Sequence, residues 1–274
     1  MNFIEAVILG IVQGLTEFLP ISSSAHLLIV PKVAGWDYFG KDFDIALHLG
    51  TFIGLVYYYR TQVIDLIDNF VKSLSSLRAI PGDPELRLPW LILISSVPAG
   101  FVGFLFGDYI EERFSGIVSI AIFLIVFGIV LGLAEARGRQ EKDVENLTIM
   151  DAVIVGIFQA AALLPGVSRS GITMTSGLFL GMKKDSAANY SFLISLPVIG
   201  GAACYSLFKI ISHPQMVSSW PLFITGIAAA ALSGYGVIRF LLEYLKTGTF
   251  LVFTYYRIVL GILLLVLSFT GVVR

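Results

Sequence analysis

Six long apolar runs dominate this sequence, and their length is what most constrains the fold. They lie at approximately 43–60, 88–107, 116–135, 187–209, 220–242 and 252–272. A helix needs about 20 mainly apolar residues to cross roughly 30 Å of hydrocarbon. Of the 274 residues only 14% are charged, whereas about 25% are charged in soluble domains. The sequence therefore predicts an all-α protein that crosses a lipid bilayer several times.

Two further apolar regions, 3–30 and 150–182, are interrupted by proline and polar residues. Each has a helical stretch, then Pro20 or Pro165, a cluster of hydroxyl side chains and a second short apolar stretch. Neither stretch is long enough to span a membrane alone, so each region is predicted to form a re-entrant helical hairpin. Such irregular backbone is tolerated at membrane depth only where protein or a water-filled cavity surrounds it.

The two interrupted regions resemble each other in sequence. Residues 4–13 align without gaps on residues 150–159, and with one gap the match continues to the prolines and the serines after them. Three long spans follow each region, which predicts a duplication with repeat 1 at 1–135 and repeat 2 at 150–272. An odd number of spans per repeat inverts the second copy, and inverted repeats place a site near the midplane between their broken elements.

Lysine and arginine are distributed unevenly between the two predicted sides. If the first full span runs from outside to inside, most of them lie on or near the cytoplasmic side, including Arg137, Lys183 and Arg257. Cytoplasmic loops are enriched in basic residues, so the first hairpin is predicted to enter from outside and the second from the cytoplasm. The net charge of −1 gives no support for a nucleic-acid partner.

Two weaker features concern the protein surface and its interfaces. Asp44 and His48 are four residues apart at the start of a span and could form a second polar pair, although a simple interfacial role is expected. The glycine-rich run between Gly226 and Gly236 is compatible with packing inside the monomer or with a homodimer.

The first interrupted region carries a candidate cation site. Gln13 and Glu17 are four residues apart, so they share one face of a helix. A carboxylate and an amide oxygen suit a hard cation, Mg²⁺ or Ca²⁺, that is held jointly with a phosphate. The alternative for Glu17 is an interfacial glutamate that caps a helix or reaches for water.

A candidate nucleophile follows Pro20. A serine such as Ser22 can cap a new helix, whose N–H groups then point at an anion. Ser23 and His26 are three residues apart and can share a helical face, as a nucleophile and its proton partner do. The alternatives are helix capping by the serines and a structural role for a buried His26.

A candidate phosphate site lies in the second interrupted region. Arg169 is a lone cation in an apolar stretch, and its planar fork suits phosphate oxygens. Ser168, Ser170 and Thr173 add hydroxyl donors around it. Arg169 needs an anionic partner, which is Glu17 from the other repeat, a substrate phosphate, or both.

At these residues the chain resembles the undecaprenyl-diphosphate phosphatases of the bacitracin-resistance family. That family has a motif of Glu or Gln, three residues and Glu, then P-x-S-S-x-x-H, and P-G-x-S-R-S-x-x-T in its second half. Here the motifs are residues 13–17, 20–26 and 165–173. The resemblance extends over essentially the whole chain in length, duplication and span count.

The resemblance implies a membrane hydrolase that removes the terminal phosphate of undecaprenyl diphosphate, the lipid carrier of peptidoglycan synthesis, and that confers bacitracin resistance. It implies a bacterial plasma membrane location, with the active site facing the periplasm or outside. Glu17 is then expected to hold the divalent cation, while Ser23 and His26 serve nucleophile and proton-transfer roles. The other candidates are expected to bind the diphosphate: Gln13, Ser22, Ser168, Arg169, Ser170 and Thr173. Some members have Glu at position 13, and a neutral amide is a weaker cation ligand.

A prenyl-phosphate transporter is the main alternative function, because inverted repeats with broken helices are typical of alternating access. The grouping of Glu17, Ser23 and His26 favours the enzyme, since transport of an anion does not require it. A non-catalytic scaffold would leave the charges at membrane depth unexplained.

Overall fold

The computed structural model describes residues 2–75, 77, 80–212 and 219–270, with residues 205–212 described by backbone alone, and these ranges contain no β-strand. Short 3-10 turns occupy 144–146 and 161–163. The helices are α1 (Phe3–Phe18), α2 (Ser23–Ala34), α3 (Lys41–Tyr58), α4 (Arg60–Ser75), α5 (Pro84–Phe114), α6 (Ile117–Arg137), α7 (Ile149–Ala160), α8 (Arg169–Phe179), α9 (Lys184–Ser212), α10 (Trp220–Leu245) and α11 (Leu251–Phe269). The predicted all-α class is confirmed.

Five helices in these ranges are long and apolar enough to cross a membrane, namely α5, α6, α9, α10 and α11. They coincide with five of the six predicted spans. The sixth, at 43–60, corresponds to α3, which is not among the five because its first turn carries Lys41, Asp42 and Asp44. Large apolar side chains such as Phe104 and Phe269 are exposed on the outer faces of these helices, as expected for surfaces that contact lipid.

Helix α4 follows α3 directly and was not predicted as a separate element. Ile64, Ile67 and Val71 are exposed at helical spacing along it, while Asp68 and Lys72 form an ion pair of 2.5 Å on the same helix. An amphipathic helix with a charged face is typical of the membrane–water interface. Its composition therefore distinguishes α4 from the spanning helices.

Both interrupted regions form two helices separated by a break, as the sequence predicted. The break lies between α1 and α2 in the first region, and between α7 and α8 in the second. Both regions also begin with a reciprocal capping box, formed by Asn2 with Glu5 and by Thr148 with Asp151. These caps satisfy N–H groups that the first helical turn leaves free. The two broken helix pairs are thus matched in local structure as well as in sequence.

The breaks end in two serines with unusual backbone conformation. Ser22 has φ 75° and Ser168 has φ 71°, a region that side chains other than glycine rarely adopt. Such a conformation costs on the order of 1–3 kcal/mol and persists only where the surroundings enforce it. Each serine immediately precedes the first residue of the following helix, Ser23 or Arg169. The strained turns therefore determine where α2 and α8 begin, and so where Ser23 and Arg169 lie.

Helices from the two halves of the sequence pack directly on one another. α1 and α3 pack against α10, α5 packs against α7, and α6 packs against α8 and α11. The approach of α1 to α10 is close, since a Cβ atom on Gly14 would lie 2.7 Å from the Ala230 carbonyl oxygen. Gly226 and Gly234 face Phe43 and Phe18 of the same chain, so these glycines are used within the monomer.

Candidate active site

Glu17 and Arg169 bring the two interrupted regions together. Glu17 lies in the last turn of α1, and Arg169 is the first residue of α8. Arg169 Nη2 donates to Glu17 Oε1 at 3.1 Å, and both side chains are largely buried. Ser170 Oγ also crosses between the regions and donates to the Leu19 carbonyl oxygen at 3.0 Å. The Glu17–Arg169 contact that the sequence suggested is therefore present, and Glu17 is buried against protein side chains.

The second carboxylate oxygen of Glu17 faces three other side chains. Ser23 Oγ donates to Oε2 at 2.8 Å, and Gln13 Nε2 donates to it at 3.1 Å. His48 Nε2 lies 3.6 Å from the same oxygen. Charge-assisted hydrogen bonds of this kind are among the strongest in proteins. The carboxylate is therefore fixed by side chains from four helices, α1, α2, α3 and α8.

The side-chain amide of Gln13 has a hydrogen-bond partner at its nitrogen but not at its oxygen. Its Nε2 binds Glu17, whereas its Oε1 is buried without a hydrogen-bond partner in the described part of the chain. Gln159, its counterpart in the second half, also has a buried Oε1 without a partner there. Buried acceptors are normally satisfied by a donor, water or an ion. The Gln13 oxygen therefore suits a ligand that the protein itself does not supply.

The protein ligands available to a cation are few. Within residues 2–75, 77, 80–212 and 219–270, no group of three or more His, Cys, Asp or Glu side chains could hold a metal. Glu17 with the Gln13 oxygen is a small donor set of carboxylate and amide. Mg²⁺ usually keeps several waters and takes one or two carboxylates together with substrate phosphates. This donor set fits such a shared site, and it does not fit a site built from protein ligands alone.

Ser23 and His26 do not pair with each other as expected. The Ser23 hydroxyl donates to Glu17, so a carboxylate is its proton partner. His26 Nδ1 donates to the Ser22 carbonyl oxygen at 2.7 Å, and its Nε2 lies 2.6 Å from the Tyr256 hydroxyl. Because a carbonyl only accepts, a neutral His26 has its proton on Nδ1 and accepts at Nε2. Both ring nitrogens are therefore engaged away from Ser23.

The hydroxyl side chains of the second motif mainly shape α8. Ser168 Oγ accepts from the Gly171 N–H at 3.2 Å and thereby caps the helix. Thr173 Oγ1 donates to the Arg169 carbonyl oxygen at 2.8 Å and lies 2.6 Å from Ser191 Oγ. The Ser191 carbonyl oxygen accepts from Arg169 Nη1 at 3.2 Å. Ser191 was not predicted, and a single serine inside an apolar span gives no motif by which to find it.

A cavity of about 480 Å³ opens beside the Glu17–Arg169 pair. Its other polar side chains are His48, Ser96 and Gln159. The remaining lining consists of apolar and small residues: Ala99, Gly100, Ala162, Leu163, Pro197, Val198, Ile199, Gly201 and Ala202. His48, for which an interfacial role was expected ahead of a second polar pair with Asp44, thus lines the cavity. An apolar cavity with a few convergent polar groups is typical of a ligand site, and here it suits an amphiphile with an anionic head.

Arg257 differs from the other basic residues of the charge distribution because it is fully buried inside the protein. It was counted among the cytoplasmic residues, but it is fully buried and contacts both interrupted regions. It therefore cannot support the predicted orientation, which depends on the other basic residues. The sequence signal was present, because an ionisable group inside an apolar span is a functional candidate.

Comparison with known proteins supports one family. The family described as bacitracin resistance protein BacA matches residues 6–263. An undecaprenyl-diphosphatase of Pelobacter propionicus is 42% identical, with 99% of each chain covered. Undecaprenyl-diphosphatases of Geotalea daltonii and Thermomicrobium roseum are each 43% identical, covering 97% and 98% of this chain and 98% and 99% of their own. The family match spans residues 13–17, 20–26 and 165–173, where the three motifs lie. The chain belongs to the BacA family of bacitracin resistance proteins.

Proposed function

We propose that the cavity beside Glu17 and Arg169 is where this chain hydrolyses undecaprenyl diphosphate to undecaprenyl phosphate and inorganic phosphate. The observation that carries the proposal is the Glu17–Arg169 contact, because it joins the two motifs in one largely buried place next to an apolar cavity. Relatives that cover nearly the whole chain are undecaprenyl-diphosphatases. The reaction recycles the lipid carrier of cell-wall synthesis and thereby confers bacitracin resistance.

The diphosphate binds at Arg169. Its guanidinium contacts Glu17 through Nη2 and the Ser191 carbonyl oxygen through Nη1, so its plane is already oriented before a substrate arrives. Phosphate oxygens then share Arg169 with Glu17, and the N-terminus of α8 adds N–H groups that favour an anion. The hydroxyls of Ser22, Ser168, Ser170 and Thr173 support this binding, chiefly by holding the two turns in place.

A divalent cation, Mg²⁺ or Ca²⁺, would be held by Glu17 and the unpaired amide oxygen of Gln13 together with the diphosphate. When bound, such a cation neutralises charge on the phosphate oxygens as the phosphoryl group is transferred. Because Glu17 is the single carboxylate in this donor set, the protein alone is expected to bind the cation weakly. Cation binding and substrate binding should therefore be strongly coupled.

Ser23 is the first candidate for the nucleophile and Glu17 for its base. The Ser23 hydroxyl already donates to Glu17 Oε2 at 2.8 Å, so the carboxylate is placed to take the proton as Oγ attacks the terminal phosphorus. The bond from phosphorus to the bridging oxygen breaks, and undecaprenyl phosphate leaves with the bonding electrons. Water then hydrolyses the phosphoserine and releases inorganic phosphate. His26 is the second candidate, as a nucleophile or proton donor, and would first have to leave Tyr256.

Trapping the phosphorylated protein distinguishes these routes. Rapid acid or base quench of the enzyme with labelled substrate, followed by peptide mapping, is expected to find phosphoserine at Ser23. Phosphohistidine at His26 would assign the attack to the imidazole. Repeated failure to trap any adduct, in a preparation that releases phosphate, would assign it to water.

Phosphate release from a polyprenyl diphosphate in detergent tests the function itself. We expect release with Mg²⁺ or Ca²⁺ present, and its loss in Arg169→Ala. If the wild-type protein and Arg169→Ala are equally silent under all cation conditions, the enzyme is the wrong proposal. A liposome assay in which prenyl phosphate changes leaflet without being hydrolysed would then favour the transporter. The catalytic arrangement of Ser23 and Glu17 has no role in transport.

For the membrane arrangement we propose inverted repeats, in which each interrupted region is a re-entrant hairpin and α3 completes the six spans. The active site then faces the periplasm or outside of the plasma membrane. Ser24 lies within the motif at residues 20–26 and is exposed, so a Ser24→Cys protein without the natural Cys204 should react with an impermeant thiol reagent on intact cells. Reaction only after permeabilisation would reverse the orientation.

A further inference from the structure

Arg257 is the largest fully buried side chain in the described part of the protein, and the reaction proposed above gives it no role. It projects inward from α11 onto α6. A Cβ atom added to Gly128 of α6 would lie 3.1 Å from Arg257 Cβ, so the two helices are in close contact at this point. A charge this deeply buried normally requires a specific set of partners.

The partners of Arg257 are main-chain carbonyl oxygens from three separate places. Nη1 donates to Pro20 at 3.3 Å, in the first break. Nη2 donates to Gly166 at 3.2 Å and to Val167 at 2.7 Å, both in the second break. Nε donates to Leu124 of α6 at 3.3 Å. No ion pair of Arg257 with a carboxylate occurs among the described residues, so its charge is balanced by carbonyl dipoles alone.

The carbonyl groups of Pro20, Gly166 and Val167 belong to the two breaks, which determine where α2 and α8 begin. Pro20 lies two residues before Ser22, and the Val167 carbonyl belongs to the peptide bond that leads into Ser168. Both serines have the strained positive φ angles described above. Because one guanidinium binds both breaks, it fixes the position of one strained turn relative to the other. A planar group with five donors can do this, whereas the ammonium group of lysine cannot reach acceptors in several directions.

We infer that Arg257 is a positioning residue for phosphate transfer, which holds the two interrupted regions at the separation that brings Glu17 and Ser23 to Arg169. This inference rests on the proposed function. Arg257 touches neither the reacting groups nor the cavity lining, so its effect on the reaction passes through the backbone of the two breaks. Misplacing a catalytic group by about 1 Å can reduce the rate about 100-fold. The loss should appear mainly in kcat, because the groups that bind the diphosphate remain present.

Arg257→Lys tests this inference, with Arg239→Lys as the matched control because Arg239 is exposed on α10. In detergent with undecaprenyl diphosphate, we expect kcat of Arg257→Lys to fall about 100-fold, and to fall by a larger factor than KM rises. Methylguanidinium should restore part of the kcat of Arg257→Ala, whereas methylammonium should not. A kcat for Arg257→Lys within twofold of wild type would overturn the inference. So would a loss that matches only the unfolded fraction measured by thermal unfolding.

A milder pair of variants serves if substitution of Arg257 prevents folding. Gly128→Ala would crowd Arg257 Cβ at 3.1 Å, and Gly132→Ala, one turn along α6, would crowd Thr254 Cγ2 at the same distance. We expect a several-fold larger loss of kcat in Gly128→Ala at equal thermal stability. Equal kcat in the two variants would contradict a positioning role. An inactive wild-type protein would instead refute the proposed function, and this inference with it.

Discussion

Gln13→Glu tests how the site holds a cation, because the substitution adds a second carboxylate next to Glu17. In the wild-type protein Gln13 Nε2 lies 3.1 Å from Glu17 Oε2. Two carboxylate charges at that separation repel each other by about 5 kcal/mol at an effective dielectric constant of about 20. Proton uptake and small side-chain movements will remove most of this repulsion. A bound divalent cation removes the rest, so the variant should bind the cation more tightly.

The magnitude of the effect follows from the part of the repulsion that the cation relieves. Relief of about 1.4 kcal/mol raises the affinity about tenfold. We therefore expect the Mg²⁺ or Ca²⁺ concentration for half-maximal phosphate release to fall at least about tenfold in Gln13→Glu. The assay is a cation titration of phosphate release after treatment with a chelator, and both proteins should be inactive before cation is added back.

Gln13→Met is the control, because it removes the amide without adding charge. It should leave the cation requirement unchanged or make it higher. An unchanged requirement in Gln13→Glu would refute the reasoning, since the added carboxylate would then not face the cation. Activity that survives complete chelation in the wild-type protein would refute the cation proposal itself.

Three further substitutions test separate parts of the structure. Ser23→Ala should reduce the rate of phosphate release by at least about 10³-fold if Ser23 is the nucleophile. The control is Ser24→Ala, at the exposed neighbouring serine, whose rate should stay near wild type. Similar rates in the two variants would exclude Ser23 from the chemistry. Arg169→Lys should lower kcat/KM by about 10²–10³-fold, because one donor of the fork can no longer stabilise the transferred charge, and a loss below threefold would contradict the proposed binding mode. Gly14→Ala should lower the free energy of unfolding by about 1–3 kcal/mol, because its Cβ would clash with the Ala230 carbonyl oxygen. Unfolding in detergent measures this loss. The control is Gly107→Ala, whose Cβ would meet no atom within 4 Å and which should have little effect.

The fold was predictable where apolar length and proline decide the structure. Pro20 and Pro165 marked the breaks correctly, because proline and the hydroxyl clusters after it interrupt apolar stretches too short to span alone. Helix α4 was missed because α3 ends at Tyr58 and α4 restarts at Arg60 without a proline or glycine between them. The apolar run at 43–60 was predicted as a span equivalent to the other five because it leaves out Lys41 and Asp42, whereas the helix that contains it begins at Lys41.

The site was predictable in its main pair but not in its surroundings. Glu17 and Arg169 were identified because charges at membrane depth need partners, and the duplication indicated that the two would meet. Ser23 and His26 have other hydrogen-bond partners, because sequence spacing places residues on a helix face but does not show which neighbouring helix faces them. Tyr256, from a helix 230 residues away in sequence, takes the position expected for Ser23. Arg257 was misread because a basic residue near the start of a span has the same local sequence whether it faces water or protein.

The central claim is that the two interrupted regions together bind and cleave one diphosphate. An experimental structure with a non-hydrolysable methylene-bridged prenyl diphosphate and Mn²⁺ tests it most directly. We predict that the diphosphate lies in the cavity between Glu17 and Arg169, with its terminal phosphorus within reach of Ser23 Oγ and its prenyl chain along the apolar lining. A diphosphate bound away from this cavity, or in contact with one of the two motifs alone, would contradict the account.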